Sequence, residues 1–213
     1  MASIVLFHSA LGLTSSVREF AVSLGQDGHV VITPDLFDGE TFQTVADGIR
    51  KRDALGIPEL MRRAAAAVET APPDSIYAGF SMGAAAAQFL SVSRPGARAA
   101  VLMHAVLPLS AFGVEHWPGV PVQIHAAEGD PWVDDSSLAA FVRASSAEVF
   151  RYPGDGHLFA ELGSSEYDAP STAALERRVR AFARRCDAGH SSNREPLPRR
   201  AARTPSSMPS GAE

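Results

Sequence analysis

Short apolar runs separated by longer amphipathic stretches set the pattern of this chain. The runs fall at 3–7, 29–33, 75–78, 99–104 and 120–125, with a short sixth at 148–152. The first five are nearly continuous in apolar character, as expected of strands covered on both faces. Helices are predicted over 15–25, 42–54, 58–70, 82–93, 136–144 and 172–185. In the first of these, Val17, Phe20, Ala21 and Leu24 recur on one face, which assigns them to the core. Strands alternating with helices in this way predict an α/β fold, a mostly parallel twisted sheet with helices on both faces.

Beyond Cys186 the apolar periodicity stops and Ser, Arg, Pro and Gly take over. Such a segment cannot bury enough surface to offset its chain entropy, so we expect one domain over 1–186 and a disordered tail over 187–213. A chain of 213 residues accommodates one α/β domain of ordinary size. It has no insertion long enough for a large lid domain.

The net charge of −5 leaves no basic footprint for nucleic acid. No apolar stretch approaches the ~18 residues that span a bilayer, and the first residues lack a basic leader, so the expected compartment is the cytoplasm. One cysteine, Cys186, excludes an internal disulfide framework and sits among basic residues at a helix end, a poor place for a nucleophile.

The chemistry centres on Gly79-Phe80-Ser81-Met82-Gly83, a G-x-S-x-G sequence between a predicted strand and an alanine-rich helix. A strand turning sharply into a helix strains its turn residue, and flanking glycines let the two backbones approach. The turn presents the Ser81 hydroxyl, and the helix N-terminus brings the Met82 N–H to an oxyanion. A second donor is expected from the loop after the first strand, at the Ala10 N–H.

A serine hydroxyl needs a histidine base, and the histidine needs a carboxylate to fix its tautomer. Of His104, His116, His125, His157 and His190, only His157 lies in a glycine-rich turn after the last predicted strand, Pro153-Gly154-Asp155-Gly156-His157. Asp130 is the expected acid, at the carboxyl end of the fifth strand and followed by Pro131 and Trp132, with Glu128 and Asp134 as alternatives. Trp132 is placed to shield the Asp–His pair. Asp134 or Asp135 also suits the cap of the helix near Ser136, and Asp155 a turn. His8, His104 and His125 end parallel strands, yet without H-x-x-H spacing they read as hydrogen-bonded structural histidines, not metal ligands. No metal or cofactor is expected.

With these positions in place, the chain over roughly 3–185 resembles the dienelactone hydrolase family of the α/β-hydrolase superfamily. The likeness rests on Phe7-His8-Ser9-Ala10-Leu11-Gly12-Leu13-Thr14, Thr33-Pro34-Asp35-Leu36-Phe37-Asp38-Gly39, the elbow, Gly129-Asp130, and Tyr152 to Phe159. The resemblance implies an α/β-hydrolase fold and a Ser81, Asp130, His157 triad. In that family the nucleophile is commonly cysteine, a first-loop glutamate controls it, and arginines hold a substrate carboxylate. Here Ser81 replaces the cysteine, Ser9 the glutamate, and Glu161 an arginine beyond the histidine. Glu161 is expected to repel an anionic substrate unless Arg50, Lys51 or Arg52 compensates.

The expected activity is hydrolysis of a small ester or lactone through an acyl-enzyme by a monomer or homodimer, or acyl transfer by the same triad. Ser9, Leu11, Trp117, Trp132 and Glu161 are the expected pocket residues, with Leu107, Phe112 and Trp117 as an apolar wall. Two other readings stay open: a receptor-like binding protein with negligible turnover, and an interaction protein that works through its tail.

Overall fold

A computed structural model describes residues 1–192. Six strands, β1 (Ser3–Phe7), β2 (Val30–Ile32), β3 (Ile76–Phe80), β4 (Ala99–Met103), β5 (Val122–Ala127) and β6 (Glu148–Tyr152), form one sheet in the order β2-β1-β3-β4-β5-β6. Every pairing is parallel. Six α-helices, α1 (Ser15–Gly25), α2 (Val45–Leu55), α3 (Ile57–Ala67), α4 (Met82–Ser93), α5 (Asp135–Ser145) and α6 (Ala169–Ser192), and a 3-10 turn at Leu109–Phe112 accompany the sheet among the described residues.

Alternate side chains of each strand supply opposite cores, which explains the unbroken apolar runs. Val5, Phe7, Tyr77, Ala100 and Leu102 meet Leu60 and Ala64 of α3, Leu90 of α4 and Phe141 of α5. Ile4, Leu6, Ile76, Val101 and Met103 meet Val17, Phe20 and Leu24 of α1 and Leu175, Val179 and Phe182 of α6. Each fully buried side chain of this size contributes about 1.5–3 kcal/mol.

Local signals set the helix starts. Thr14 caps α1 by accepting from the Val17 N–H, and Asp134 caps α5 by accepting from the Ser137 N–H. Gly56, at φ 79°, separates α2 from α3. The expected tail boundary is corrected: α6 continues past Cys186 to Ser192. Asp187 carries the helix onward by pairing with the Met1 amino group at 2.6 Å and with Arg98 at 2.7 Å. Residues 193–213 lie outside the described residues. No helix among the described residues is long and apolar enough to cross a membrane.

Candidate active site

The expected elbow forms where β3 meets α4. Ser81 sits at φ 50° and ψ −111°, a left-handed strained turn worth ~1–3 kcal/mol. It is held by a 2.7 Å hydrogen bond from its N–H to the Met103 carbonyl of β4. Both flanking glycines are required by contact. A Cβ on Gly79 would lie 2.1 Å from the Gly83 carbonyl oxygen, and one on Gly83 would lie 2.5 Å from the His8 and Phe7 carbonyl oxygens.

The loops after β3, β5 and β6 bring the three expected side chains together at the carboxyl ends of the strands. The Ser81 hydroxyl lies 2.7 Å from His157 Nε2, and His157 Nδ1 lies 2.8 and 3.1 Å from the two oxygens of Asp130. With Nδ1–H donating to Asp130, the neutral ring leaves Nε2 to accept from the serine. The Asp130 and His157 loops are tied by the Gly129 N–H, which donates to the Gly154 carbonyl at 2.9 Å. The Trp132 N–H donates to Asp130 Oδ1, and its indole lies 5.5 Å from the imidazole. Glu128 is exposed and is not the carboxylate on His157.

Beside Ser81 and His157 opens a cavity of about 620 Å³. Met82, Ala85 and Phe89 of α4 form one wall, and Ile57 and Met61 of α3 a second. Leu107 and Phe112 cover it as expected, Trp132 stands at its mouth, and Arg52 also reaches it.

The profile of the dienelactone hydrolase family matches residues 1–186. The chain belongs to the dienelactone hydrolase family. A relative from Bradyrhizobium sp., named "Probable 2-oxo-3-(5-oxofuran-2-ylidene)propanoate lactonase", is 23% identical over 185 residues, which is 76% of this chain and 74% of the relative. Among solved structures, a dienelactone hydrolase-like promiscuous phosphotriesterase from metagenomic libraries superposes with a TM-score of 0.72 at 21% identity, covering 87% of each chain. A thermophilic esterase from Thermogutta terrifontis gives 0.60 at 17% identity, over 86% of this chain and 83% of the other. At these identities the solved structures establish the shared α/β-hydrolase fold. Family membership supports hydrolase activity.

Within this family frame several expected pocket residues lie elsewhere. Trp117 is a core residue, packed edge-on against Phe141 with its indole N–H on the Val120 carbonyl at 2.6 Å. Ser9 and Leu11 are buried within the first loop, where the Ser9 hydroxyl accepts from the Leu11 N–H at 3.0 Å. Glu161 is 1% exposed, and neither carboxyl oxygen has a hydrogen-bond partner. Burial pushes its pKa up to about 7, opposed by the Ser9 hydroxyl, which faces it without closing a hydrogen bond. Its expected effect on an anionic substrate is corrected accordingly, since the group lies outside the cavity and sheds its charge below neutrality.

The strand-end histidines differ from one another. His8 Nε2 accepts from the Leu36 N–H while Nδ1–H donates to the Ser9 carbonyl, and burial holds the ring below its usual pKa. His125 meets Tyr152 and Gln123, and burial, then Arg178, push it down to about 3. His104 departs from the expectation of a hydrogen-bonded ring. Both its nitrogens lack a partner, and it lies between Phe80, stacked at 5.8 Å, and Phe159, edge-on at 4.6 Å. Among the described residues no three His, Cys, Asp or Glu side chains are grouped to hold a metal ion.

Of the three cations weighed against Glu161, Arg52 reaches the cavity; sequence reasoning missed Ala85 and Phe89 as cavity residues, and also Gln88. The Gln88 amide is buried in α4 and clamps the cavity roof, donating to the Leu107 carbonyl at 2.7 Å and accepting from the Leu107 N–H at 3.0 Å. A lone amide in an alanine-rich run was the available signal.

Proposed function

We propose that the protein is a serine-dependent carboxylic ester hydrolase that cleaves an ester or lactone through an acyl-enzyme. The observation that carries this reading is the 2.7 Å approach of the Ser81 hydroxyl to His157 Nε2, with Asp130 on the opposite ring nitrogen. His157 Nε2 takes the hydroxyl proton as Ser81 Oγ bonds to the substrate carbonyl carbon, and the carbonyl oxygen becomes an oxyanion. Asp130 stabilises the imidazolium. The N–H groups of Met82 and Ala10 receive the oxyanion; neither makes a backbone hydrogen bond of its own among the described loop contacts. As the bond to the leaving oxygen breaks, His157 returns the proton to that oxygen. Water then gives a proton to His157 and its hydroxide to the acyl carbon; as the bond from that carbon to Ser81 Oγ breaks, His157 returns the proton to Oγ, releasing the carboxylic acid and restoring both residues.

A binding protein without turnover would find its support in Ser9 and Glu161, the departures from the family pattern. Both are buried outside the cavity, which removes its main support. The test is hydrolysis of p-nitrophenyl acetate. Ser81→Ala should lower kcat by ~10³-fold or more, and equal rates in parent and variant would dismiss Ser81 as nucleophile.

A further inference from the structure

The cavity beside Ser81 is apolar to a degree that esterase chemistry alone does not require. From the nucleophile outward, Ala85 and Phe89 lie one and two turns along α4, and Met61 faces them from α3. Leu107 and Phe112 close the top, and the Gln88 clamp fixes Leu107 to α4, so this wall is held in place before any substrate arrives. Ile57 and Trp132, at the rim, are 54% and 56% exposed, among the few large apolar side chains left in water among the described residues. Surface apolar groups gathered at the mouth of an apolar cavity mark a place where an apolar ligand displaces water.

Charge points the same way. Among the described residues, and apart from the triad side chains, Arg52 is the one ionic group on the cavity wall, and its guanidinium is paired with Asp53 at 2.8 Å. An anionic substrate group would have to compete with that carboxylate.

We propose that this cavity binds an uncharged apolar limb of the ester, of medium-chain or aromatic size, and that the small side chain of Ala85 sets how far that limb reaches. The proposal rests on the esterase reading and names its substrate class. A volume of about 620 Å³ lies within the ~300–1,000 Å³ of sites for small organic ligands, far more than an acetyl group occupies. The cavity begins at Ser81, so a chain attached to the attacked carbonyl passes Ala85 before it meets Phe89. A large side chain at 85 would block that passage.

The experiment compares p-nitrophenyl acetate, p-nitrophenyl octanoate and an ester of the same length ending in a carboxylate, using the full chain. Each buried methylene is worth ~0.8 kcal/mol, so octanoate should exceed acetate in kcat/KM by ~10²-fold or more, and exceed the carboxylate-ended ester. In Ala85→Trp the octanoate to acetate ratio should fall at least ~10-fold. A flat or inverted chain-length profile would overturn the proposal, as would preference for the carboxylate-ended ester, which would make Arg52 the anchor. Trp132 fluorescence quenching in Ser81→Ala measures binding without turnover, and the octanoate ester should again bind more tightly. Loss of turnover in Ser81→Ala with equal binding of both esters would sink the apolar limb alone. Turnover that survives Ser81→Ala would sink the nucleophile instead.

Discussion

Asp130 and Glu161 are both buried carboxyls, yet they sit in opposite circumstances. Asp130, 5% exposed, meets N–H donors from the His157 ring and the Trp132 backbone. Glu161, 1% exposed, meets none. Removal from water penalises a carboxylate, and fixed donors replace the lost hydration. One carboxyl is therefore built as the partner of an imidazolium. The other is held neutral by its surroundings until the pH reaches about 7. Burial alone does not make a working anion; the donors aimed at it do.

The largest effect that sharpens this contrast is chemical. Asp130→Asn should lower kcat by ~10⁴-fold, because an amide favours the wrong imidazole tautomer, whereas Glu161→Gln should change kcat at neutral pH by less than ~10-fold. Steady-state kinetics on both variants checks this, and comparable losses would erase the distinction.

The next effect is on stability. Raising the Glu161 pKa from 4.5 in the unfolded chain to about 7 in the fold means the folded state binds the extra proton between those values. Its stabilising contribution is whole below about pH 4.5 and is lost as pH rises through 7. The gap amounts to ~3 kcal/mol. Denaturant unfolding of the parent and Glu161→Gln across pH 4 to 8 should show the variant gaining on the parent by about that amount. A constant difference would show that the Glu161 carboxyl keeps an ordinary pKa in the fold.

The smallest effect concerns the cover over the paired carboxylate. Trp132→Ala removes an indole that is half in solvent but keeps the backbone N–H on Asp130, so kcat should fall by ~10-fold or less.

Much of this was legible in the chain because it lies in contiguous signals. The elbow glycines, the Asp130 turn and the His157 turn each follow a strand whose apolar run is unmistakable, and a parallel sheet delivers strand ends to one edge. What was not legible depends on contacts distant in sequence. Trp117 and Phe112 are both aromatic residues of the segment between β4 and β5, and packing against partners distant in sequence, Phe141 of α5 among them, makes the first a core residue. Ala85 and Phe89 share the helical period of core positions and cannot be told from them by spacing. Likewise, α6 runs on to Ser192 although its sequence loses apolar period, with Asp187 pairing to Met1 and Arg98 across the fold.

The account as a whole is tested most directly by treating the protein with a fluorophosphonate and locating the adduct by peptide mass spectrometry. It predicts one covalent phosphonyl group on Ser81, formed rapidly in the parent and slowed at least ~10²-fold in His157→Ala. An unmodified Ser81, or labelling indifferent to the loss of His157, would contradict it.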